Sequence, residues 1–361
     1  MLKNIHIKNY RGIKDLKIND FKRINLLVGD NNSGKTSVLE AIGLVVNHSI
    51  IPIFNFDSLR ETGLFAKLSE TKLQDQKMWD NLEYLVYEKN LKDGFIIETN
   101  SENNKNLEIK KTVKLHAHFS NEAQDFSSSL LPNSEKMIIN HNLINSFIAT
   151  YTTNGKNPVR LGFSRNGRYD DAHISGIAVP LNIIPSTTAK AFELIYPMKK
   201  IAKENGEKFF SDLAQEIDPK IKAIKTAGDE VLADIGEISI PLKYMGDGLI
   251  NVLNILLKIR ELKDGILLID EIENGLHWKT QKVLWKALIE ACEEFNVQII
   301  ATTHSIDTIK ALSEAYEEEG KNLIEEDGIR VFQIFNKSKN FTETLDANAI
   351  RGMIKNHYEP R

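Results

Sequence analysis

The chain has 361 residues, of which 42% are hydrophobic and 27% are charged, so it can bury a sizeable core beneath a polar surface. Its length predicts about two domains, or one large domain with insertions. The net charge of −4 excludes a general electrostatic attraction to nucleic acid or to an anionic membrane, although a local basic patch is compatible with it.

Cysteine usage and hydropathy indicate the cellular compartment in which the protein is expected. The single cysteine, Cys292, excludes an intramolecular disulfide and a cysteine-rich metal site, and its apolar helical surroundings predict a core position. The first residues lack the apolar run of a signal peptide. No stretch approaches the roughly 18 apolar residues of a membrane span. We therefore expect a cytoplasmic protein with no membrane partner.

The first elements of the chain predict an antiparallel hairpin that leads into a buried strand. Ile5 and Ile7 alternate with polar residues, residues 9–12 turn the chain, and a second strand starts at Ile13. The continuous apolar run of residues 24–28 then predicts a short buried strand.

The residues after this strand match the P-loop pattern, two glycines around a four-residue turn followed by lysine and serine or threonine. They are Gly29, Asp30, Asn31, Asn32, Ser33, Gly34, Lys35 and Thr36, and Ser37 follows them. Backbone N–H groups of such a loop and the start of the next helix face phosphate oxygens. Lys35 would lie along the β- and γ-phosphates, and the Thr36 hydroxyl would bind Mg²⁺. The strand before the loop and the helical spacing of apolar residues after it predict a nucleotide site.

Residues 51–235 have a looser pattern of helices and strands. Residues 67–90 and 189–215 are predicted to be helical, the latter with interruptions at Pro197 and Gly206. Residues 95–98 and 113–118 have the character of strands.

Residues 154–171 are rich in Gly, Asn and Arg and are predicted to form a loop. This stretch carries a basic and aromatic cluster, formed by Arg160, Phe163, Arg165, Arg168 and Tyr169. Such a cluster is compatible with a nucleic acid contact, and the alternative is a plain polar loop. The sequence leaves both interpretations open.

From residue 236 onward, strong patterns return. The apolar run of residues 266–269 suits a parallel strand buried on both faces, and it ends in Asp270 and Glu271. Carboxylates at this end of a strand lie where ligands bind in open α/β sheets. Asp270 would hold Mg²⁺ through water, and Glu271 would polarise the attacking water. The alternative is an acidic cap of the next helix.

A second buried strand begins at Val297 and ends in His304, after a helix with one apolar face. A histidine at a strand end is usually structural. Beside an Asp-Glu strand in a P-loop protein, it predicts a γ-phosphate sensor. Residues 329–335 and 341–345 predict a hairpin that closes the chain.

These motifs together resemble the ABC-type ATPase heads of the RecF, SMC and OLD families, above all the AAA-labelled single-chain relatives of OLD ATPases that lack a Toprim domain. The resemblance rests on residues 7–13 (first hairpin), 29–37 (Walker A), 268–277 (Walker B and D-loop) and 302–305 (switch histidine). It implies an α/β P-loop NTPase with a mixed sheet. Residues 1–50 and 236–361 would form the ATPase core, and residues 51–235 an inserted helical and β lobe.

The resemblance also implies the chemistry of the site. ATP and Mg²⁺ are the implied cofactors, Glu271 and His304 the catalytic residues, and Thr36 and Asp270 the metal ligands. Family members have a signature loop that contacts ATP on the opposite protomer. The candidate here is residues 244–248, in which Gly246 and Gly248 offer backbone N–H groups while Met245 replaces the usual serine. One P-loop and one signature loop per chain imply a homodimer or a larger homo-oligomer.

Three functions remain open at this point. Such ATPases often occur beside an effector gene, which implies an ATPase that dimerises on ATP and gates a separate effector, such as a nuclease, in bacterial antiphage defence. The second is a RecF-like DNA-repair ATPase that binds DNA. The third is a transporter subunit, for which a Q-loop glutamine and a full signature loop would be expected.

Overall fold

Three β-sheets and their flanking helices make up the part of the chain that the structure, a computed structural model, describes. The described residues are 1–47, 85–87, 93–102, 108–119, 144–164, 167–170, 179–186, 189–319, 328–336, 340–345 and 347–355. The strands are β1 (Leu2–Tyr10), β2 (Ile13–Asn19), β3 (Ile24–Val28), β4 (Phe95–Glu102), β5 (Glu108–Phe119), β6 (Ile144–Thr153), β7 (Lys156–Ser164), β8 (Gly167–Asp170), β9 (Leu181–Ile184), β10 (Ala223–Ala227), β11 (Glu230–Asp234), β12 (Ser239–Pro241), β13 (Ile266–Ile269), β14 (Gln298–Thr302), β15 (Ile329–Asn336) and β16 (Asn340–Leu345). The helices are α1 (Lys35–Asn47), α2 (Ile195–Lys203), α3 (Glu207–Ile217), α4 (Asp247–Glu261), α5 (Trp278–Glu294), α6 (Ile306–Glu319) and α7 (Ala347–Lys355).

A six-stranded mixed sheet, in the order β16-β15-β3-β14-β13-β9, forms the centre of the fold. Its strands run parallel except β16, which pairs antiparallel with β15. Every residue of β3, β13 and β14 is buried, as expected for parallel strands covered on both faces. Since parallel strands end at one edge, the residues that follow these three strands meet there. This arrangement confirms the predicted α/β fold with a mixed sheet.

A seven-stranded antiparallel sheet, in the order β2-β1-β4-β5-β6-β7-β8, covers the helix that follows the P-loop. Ile5, Ile7 and Tyr10 of β1 share one buried cluster with Val38 and Ile42 of α1. The same cluster includes residues of β13 and β14, so α1 lies between the two sheets. Burial on both sides explains why α1 is apolar around most of its circumference.

A small sheet, β10-β11-β12, packs beside α2 and α3 and leads into α4. Phe210 of α3 and Ile224 of β10 are both buried in the main core. The core continues along α4, whose buried residues include Leu249, Val252 and Leu253. This helix is therefore buried around most of its circumference.

The prediction of a loop at residues 154–171 is wrong, because this stretch forms β7 and β8. Only Asn154 and Gly155 form the turn between β6 and β7, with φ of +52° and +68°. An Asn-Gly pair with two positive φ values is the preferred two-residue hairpin turn. In the register of β7 and β8, Phe163 pairs with Arg168, while Arg165 lies outside the described residues.

One helical prediction is also corrected. Pro197 does not interrupt α2, because it lies in the first turn of the helix, where backbone N–H groups have no intrahelical acceptor. Gly206 does separate α2 from α3. Most of the helix predicted at residues 67–90 lies outside the described residues, and Val86 within it forms an isolated β-bridge with Tyr10.

Strands from residues 51–235 belong to the same sheets as the rest of the chain. β4 pairs with β1, and β9 pairs with β13. The division into an ATPase core and an inserted lobe stays a prediction. Among the described residues, no helix is long and apolar enough to cross a membrane.

Candidate nucleotide site

The loop between β3 and α1 has positive φ values at three positions, and glycine or asparagine occupies each of them. Gly29 has φ of +145°, and a Cβ at this position would overlap the carbonyl oxygen of Ile334. Asn32 and Gly34 also have positive φ values, +63° and +102°. Glycine and asparagine are the residues that adopt this region most readily. The loop therefore turns tightly at the N-terminus of α1, where backbone N–H groups favour an anion.

Lys35 is folded back over the loop rather than directed to solvent. Its Nζ donates to the carbonyl oxygens of Gly29 and Asp30, both at 2.8 Å. Burial lowers the pKa of Lys35, even though the carboxylates of Asp270 and Asp30 act in the opposite direction. The buried hydroxyl Oγ of Ser33 has no hydrogen-bond partner in the described part of the chain. A buried cation and an unpaired hydroxyl in one glycine-rich loop fit a phosphate group.

Asp270 joins the Walker B strand to the P-loop helix. Its Oδ1 lies 3.1 Å from Oγ1 of Thr36, the second residue of α1. The buried Thr302 hydroxyl, at the end of β14, donates to the same Oδ1 at 2.7 Å. A carboxylate next to a hydroxyl at the end of a phosphate-binding loop is the donor set that Mg²⁺ takes in P-loop proteins. The predicted metal ligands Thr36 and Asp270 thus lie in direct contact.

Glu271 follows β13 and has the environment of a general base. Its φ is +53°, and its backbone N–H donates to Oγ1 of Thr302 at 2.7 Å. Partial burial, with the neighbouring Asp270 charge second, raises the pKa of the Glu271 carboxyl. A raised pKa moves a carboxylate towards the range in which it accepts a proton from water efficiently.

His304 lies beside this carboxylate, as the sequence predicts for a switch histidine. Its Nε2 is 3.8 Å from Oε1 of Glu271. Its backbone N–H donates to Oε1 of Glu273 at 2.8 Å. Sequence analysis assigned no role to Thr302 or Glu273, although both lie within the matched motifs. The signal that could have identified them is their position, because Thr302 lies two residues before His304 and Glu273 two residues after Glu271.

The candidate signature loop precedes α4, and its two glycines differ in their surroundings. Gly246 caps α4 and borders open space, because no atom lies within 4 Å of an added Cβ. At Gly248 an added Cβ would lie 2.8 Å from the carbonyl oxygen of Gly275. Asn251 of α4 also donates to the carbonyl oxygen of Asn274 at 2.9 Å. Gly248 therefore serves close packing within the chain, and Gly246 is the glycine accessible from outside.

Arg11 of the first hairpin is held by α1. Its Nε lies 2.5 Å from Oε2 of the buried Glu40, and the Tyr10 hydroxyl donates to the same oxygen at 3.3 Å. Burial, followed by the Glu40 charge, raises the pKa of Tyr10. This buried group fixes the hairpin to the P-loop helix.

Comparisons with known proteins show relatives along most of the chain. A protein of Helicobacter pylori named ATP/GTP phosphatase is 26% identical over 346 residues, which cover 88% of this chain and 89% of the relative. An uncharacterized protein of Methanocaldococcus jannaschii is 31% identical over 236 residues, 64% of this chain and 88% of that protein. The DNA replication and repair protein RecF of Lactococcus lactis is 46% identical over 41 residues, 11% of each chain.

Among solved structures, the SMC head domain from Thermotoga maritima aligns with a TM-score of 0.49 and 15% identity, covering 96% of this chain and 99% of that domain. A family model described as AAA ATPase domain matches residues 1–158 and 173–309, most of the chain. The chain therefore belongs to the AAA ATPase domain family.

Proposed function

We propose that the protein binds ATP together with Mg²⁺ and hydrolyses it to ADP and phosphate. The observation that carries the proposal is the 3.1 Å contact between Thr36 and Asp270, which are 234 residues apart in the sequence. It brings the end of the P-loop together with the end of the Walker B strand. The family match and the name of the Helicobacter relative support a nucleotide substrate.

Each residue of the site has a task in this proposal. The N–H groups of residues 29–34, with Lys35 and the Ser33 hydroxyl, bind the phosphates. Thr36 and Asp270 would hold Mg²⁺, which neutralises charge on phosphate oxygens when it is bound. Glu271 accepts the proton of the attacking water, and His304 contacts the γ-phosphate from the side of Glu271.

Phosphate release from Mg²⁺-ATP tests this assignment. We expect Glu271→Gln to bind ATP but to hydrolyse it at least ~100-fold more slowly, the range typical of a positioned base. The matched control is Glu294→Gln, an exposed glutamate at the end of α5, which should keep the wild-type rate. Equal rates for wild type and Glu271→Gln would contradict the role of Glu271.

We propose further that two heads close around the nucleotide, with Gly246 of one protomer facing the P-loop of the other. Gly246 borders open space at the N-terminus of α4, whose dipole favours an anion. Light scattering of Glu271→Gln with and without ATP should show an ATP-dependent increase in mass. Adding Gly246→Arg should abolish the increase.

A second glycine supplies the control for this measurement. Gly352 of α7 also borders open space, so Gly352→Arg in the Glu271→Gln background should leave the ATP-dependent increase intact. Gly248→Arg is a poor test, because its side chain would collide with Gly275 inside the same chain. If the molar mass changes neither on addition of ATP nor with Gly246→Arg, the composite site is contradicted.

The biological role that we propose is the gating of a separate effector in bacterial antiphage defence, by a cytoplasmic ATPase of the OLD type. The resemblance in the motifs is its support. The RecF match keeps a DNA-binding repair ATPase as the second candidate. A DNA titration at increasing salt separates the two, because a DNA clamp should lose affinity steeply with salt concentration. No binding at low salt would contradict the repair function.

A further inference from the structure

Glu273 lies two residues after Glu271, in the turn between β13 and α5, and its side chain reaches the end of β14. Its Oε1 accepts a hydrogen bond from the backbone N–H of His304 at 2.8 Å, although 31 residues separate them. The contact therefore joins the turn after the Walker B strand to the loop that carries the histidine.

This contact is one of several hydrogen bonds between the two strand ends, which include the bond from the Ile272 N–H to the Thr302 carbonyl oxygen at 3.1 Å. The backbone N–H of Glu271 donates to the Thr302 hydroxyl at 2.7 Å, so β14 holds the backbone of the base. In the other direction, Glu273, which follows β13, holds the backbone of His304 after β14. Between the two bonds, His304 Nε2 and Glu271 Oε1 are 3.8 Å apart. The relative position of imidazole and carboxylate thus depends on both bonds.

The second oxygen of Glu273 argues against a role in stabilising the turn alone. Oε2 is shielded from solvent and has no hydrogen-bond partner within the described ranges. An unpaired buried acceptor destabilises a fold, so a carboxylate that served only stability would be expected to have both oxygens paired. The bond to His304 is the hydrogen bond that links this side chain to the histidine loop.

We propose that Glu273 is a positioning residue for ATP hydrolysis, which holds the His304 loop so that the imidazole lies beside Glu271. The inference rests on the proposed function. The property that matters is a hydrogen-bond acceptor at the distance of the glutamate Oε1. Glutamine keeps that acceptor and loses the charge, whereas aspartate keeps the charge and loses the reach.

The test compares Glu273→Gln with Glu273→Asp in steady-state ATP hydrolysis. We expect Glu273→Gln to stay within about threefold of the wild-type kcat, and Glu273→Asp to lose about 10- to 100-fold, as for a catalytic group displaced by about 1 Å. The KM for ATP should stay the same in both, because the phosphate-binding loop is untouched. Asp307→Asn, an exposed carboxylate in the first turn of α6, is the control and should change neither constant.

Amide hydrogen exchange of His304 without nucleotide provides the second readout. The amide should exchange slowly in wild type and Glu273→Gln, and faster in Glu273→Asp, since it loses its acceptor. An unchanged kcat in Glu273→Asp would overturn the proposal. An equal loss in both variants would also overturn it, because Glu273→Gln keeps the acceptor that the proposal requires. A wild-type protein without ATPase activity would contradict the proposed function instead, and exchange would still decide whether Glu273 holds His304.

Discussion

Replacing Thr302 by valine removes one hydroxyl that bonds to both the Asp270 carboxylate and the backbone N–H of Glu271. Thr302 is buried, its Oγ1 donates to Asp270 Oδ1 at 2.7 Å, and it accepts the N–H of Glu271 at 2.7 Å. Valine has nearly the same shape, so the change removes two hydrogen bonds and leaves little cavity. It also leaves two buried polar groups without this partner.

The magnitude follows from the two bonds. A hydrogen bond to a charged group contributes about 1.5–3 kcal/mol and a neutral one about 1 kcal/mol, so Thr302→Val should lower the free energy of unfolding by about 3 kcal/mol. Turnover should fall at least ~10-fold, because Glu271 then loses the bond that fixes its backbone at a φ of +53°. ATP affinity should change little.

Thr308→Val is the matched control for this substitution. Thr308 is equally buried, but its hydroxyl donates to Gln281 Oε1 at 2.8 Å, within the packing of α5 and α6. This variant should lose about 1 kcal/mol of stability, as expected for one neutral bond, and keep its turnover. Urea unfolding and phosphate release measure both quantities. Our reasoning is refuted if Thr302→Val loses no more stability than Thr308→Val and hydrolyses ATP at the wild-type rate.

Three further changes test other parts of the structure. Asp270→Asn should weaken ATP binding in the presence of Mg²⁺ more than in EDTA, which titration calorimetry in the two buffers measures. Gly29→Ala should abolish ATP binding and lower the melting temperature, because its Cβ meets the carbonyl of Ile334 at a φ of +145°; unchanged melting would contradict this. Burial lowers the pKa of Lys111 from 10.5 to about 8. Between these pH values the unfolded chain binds more protons, so stability should rise with pH by at most about 3 kcal/mol, and Lys111→Met should remove that rise in urea unfolding.

The elements around the motifs could be predicted because local sequence determines them. A continuous apolar run such as β13 suits a buried strand, and a glycine-rich turn between a strand and a helix is typical of a phosphate-binding loop. The hairpin at Asn154 and Gly155 was missed because the Gly, Asn and Arg content of residues 154–171 was taken to indicate a loop, whereas the Asn-Gly pair alone indicates a hairpin turn. Pro197 was misread because a proline ends a helix only when it lies beyond the first turn.

The contacts within the site could not be predicted from the sequence. Nothing in the sequence pairs Arg11 with Glu40, or Glu273 with the backbone of His304, because these contacts depend on how α1 and the strand ends are placed. The different surroundings of Gly246 and Gly248 were equally invisible, since both fit the same motif. The candidate residues that the sequence predicted lie together at the strand ends, and the structure added the contacts that hold them.

The central claim is that residues 29–37 bind the phosphates of ATP, and calorimetric titration of Mg²⁺-ATP tests it most directly. Lys35→Ala removes the buried ammonium, which lies 2.8 Å from two loop carbonyls, and Lys310→Ala removes a lysine on α6 as the control. A charge-assisted contact is worth about 1.5–3 kcal/mol, so we expect Lys35→Ala to lose at least ~10-fold in affinity. Lys310→Ala should bind as wild type does. A folded Lys35→Ala variant that binds ATP with wild-type affinity would contradict the account.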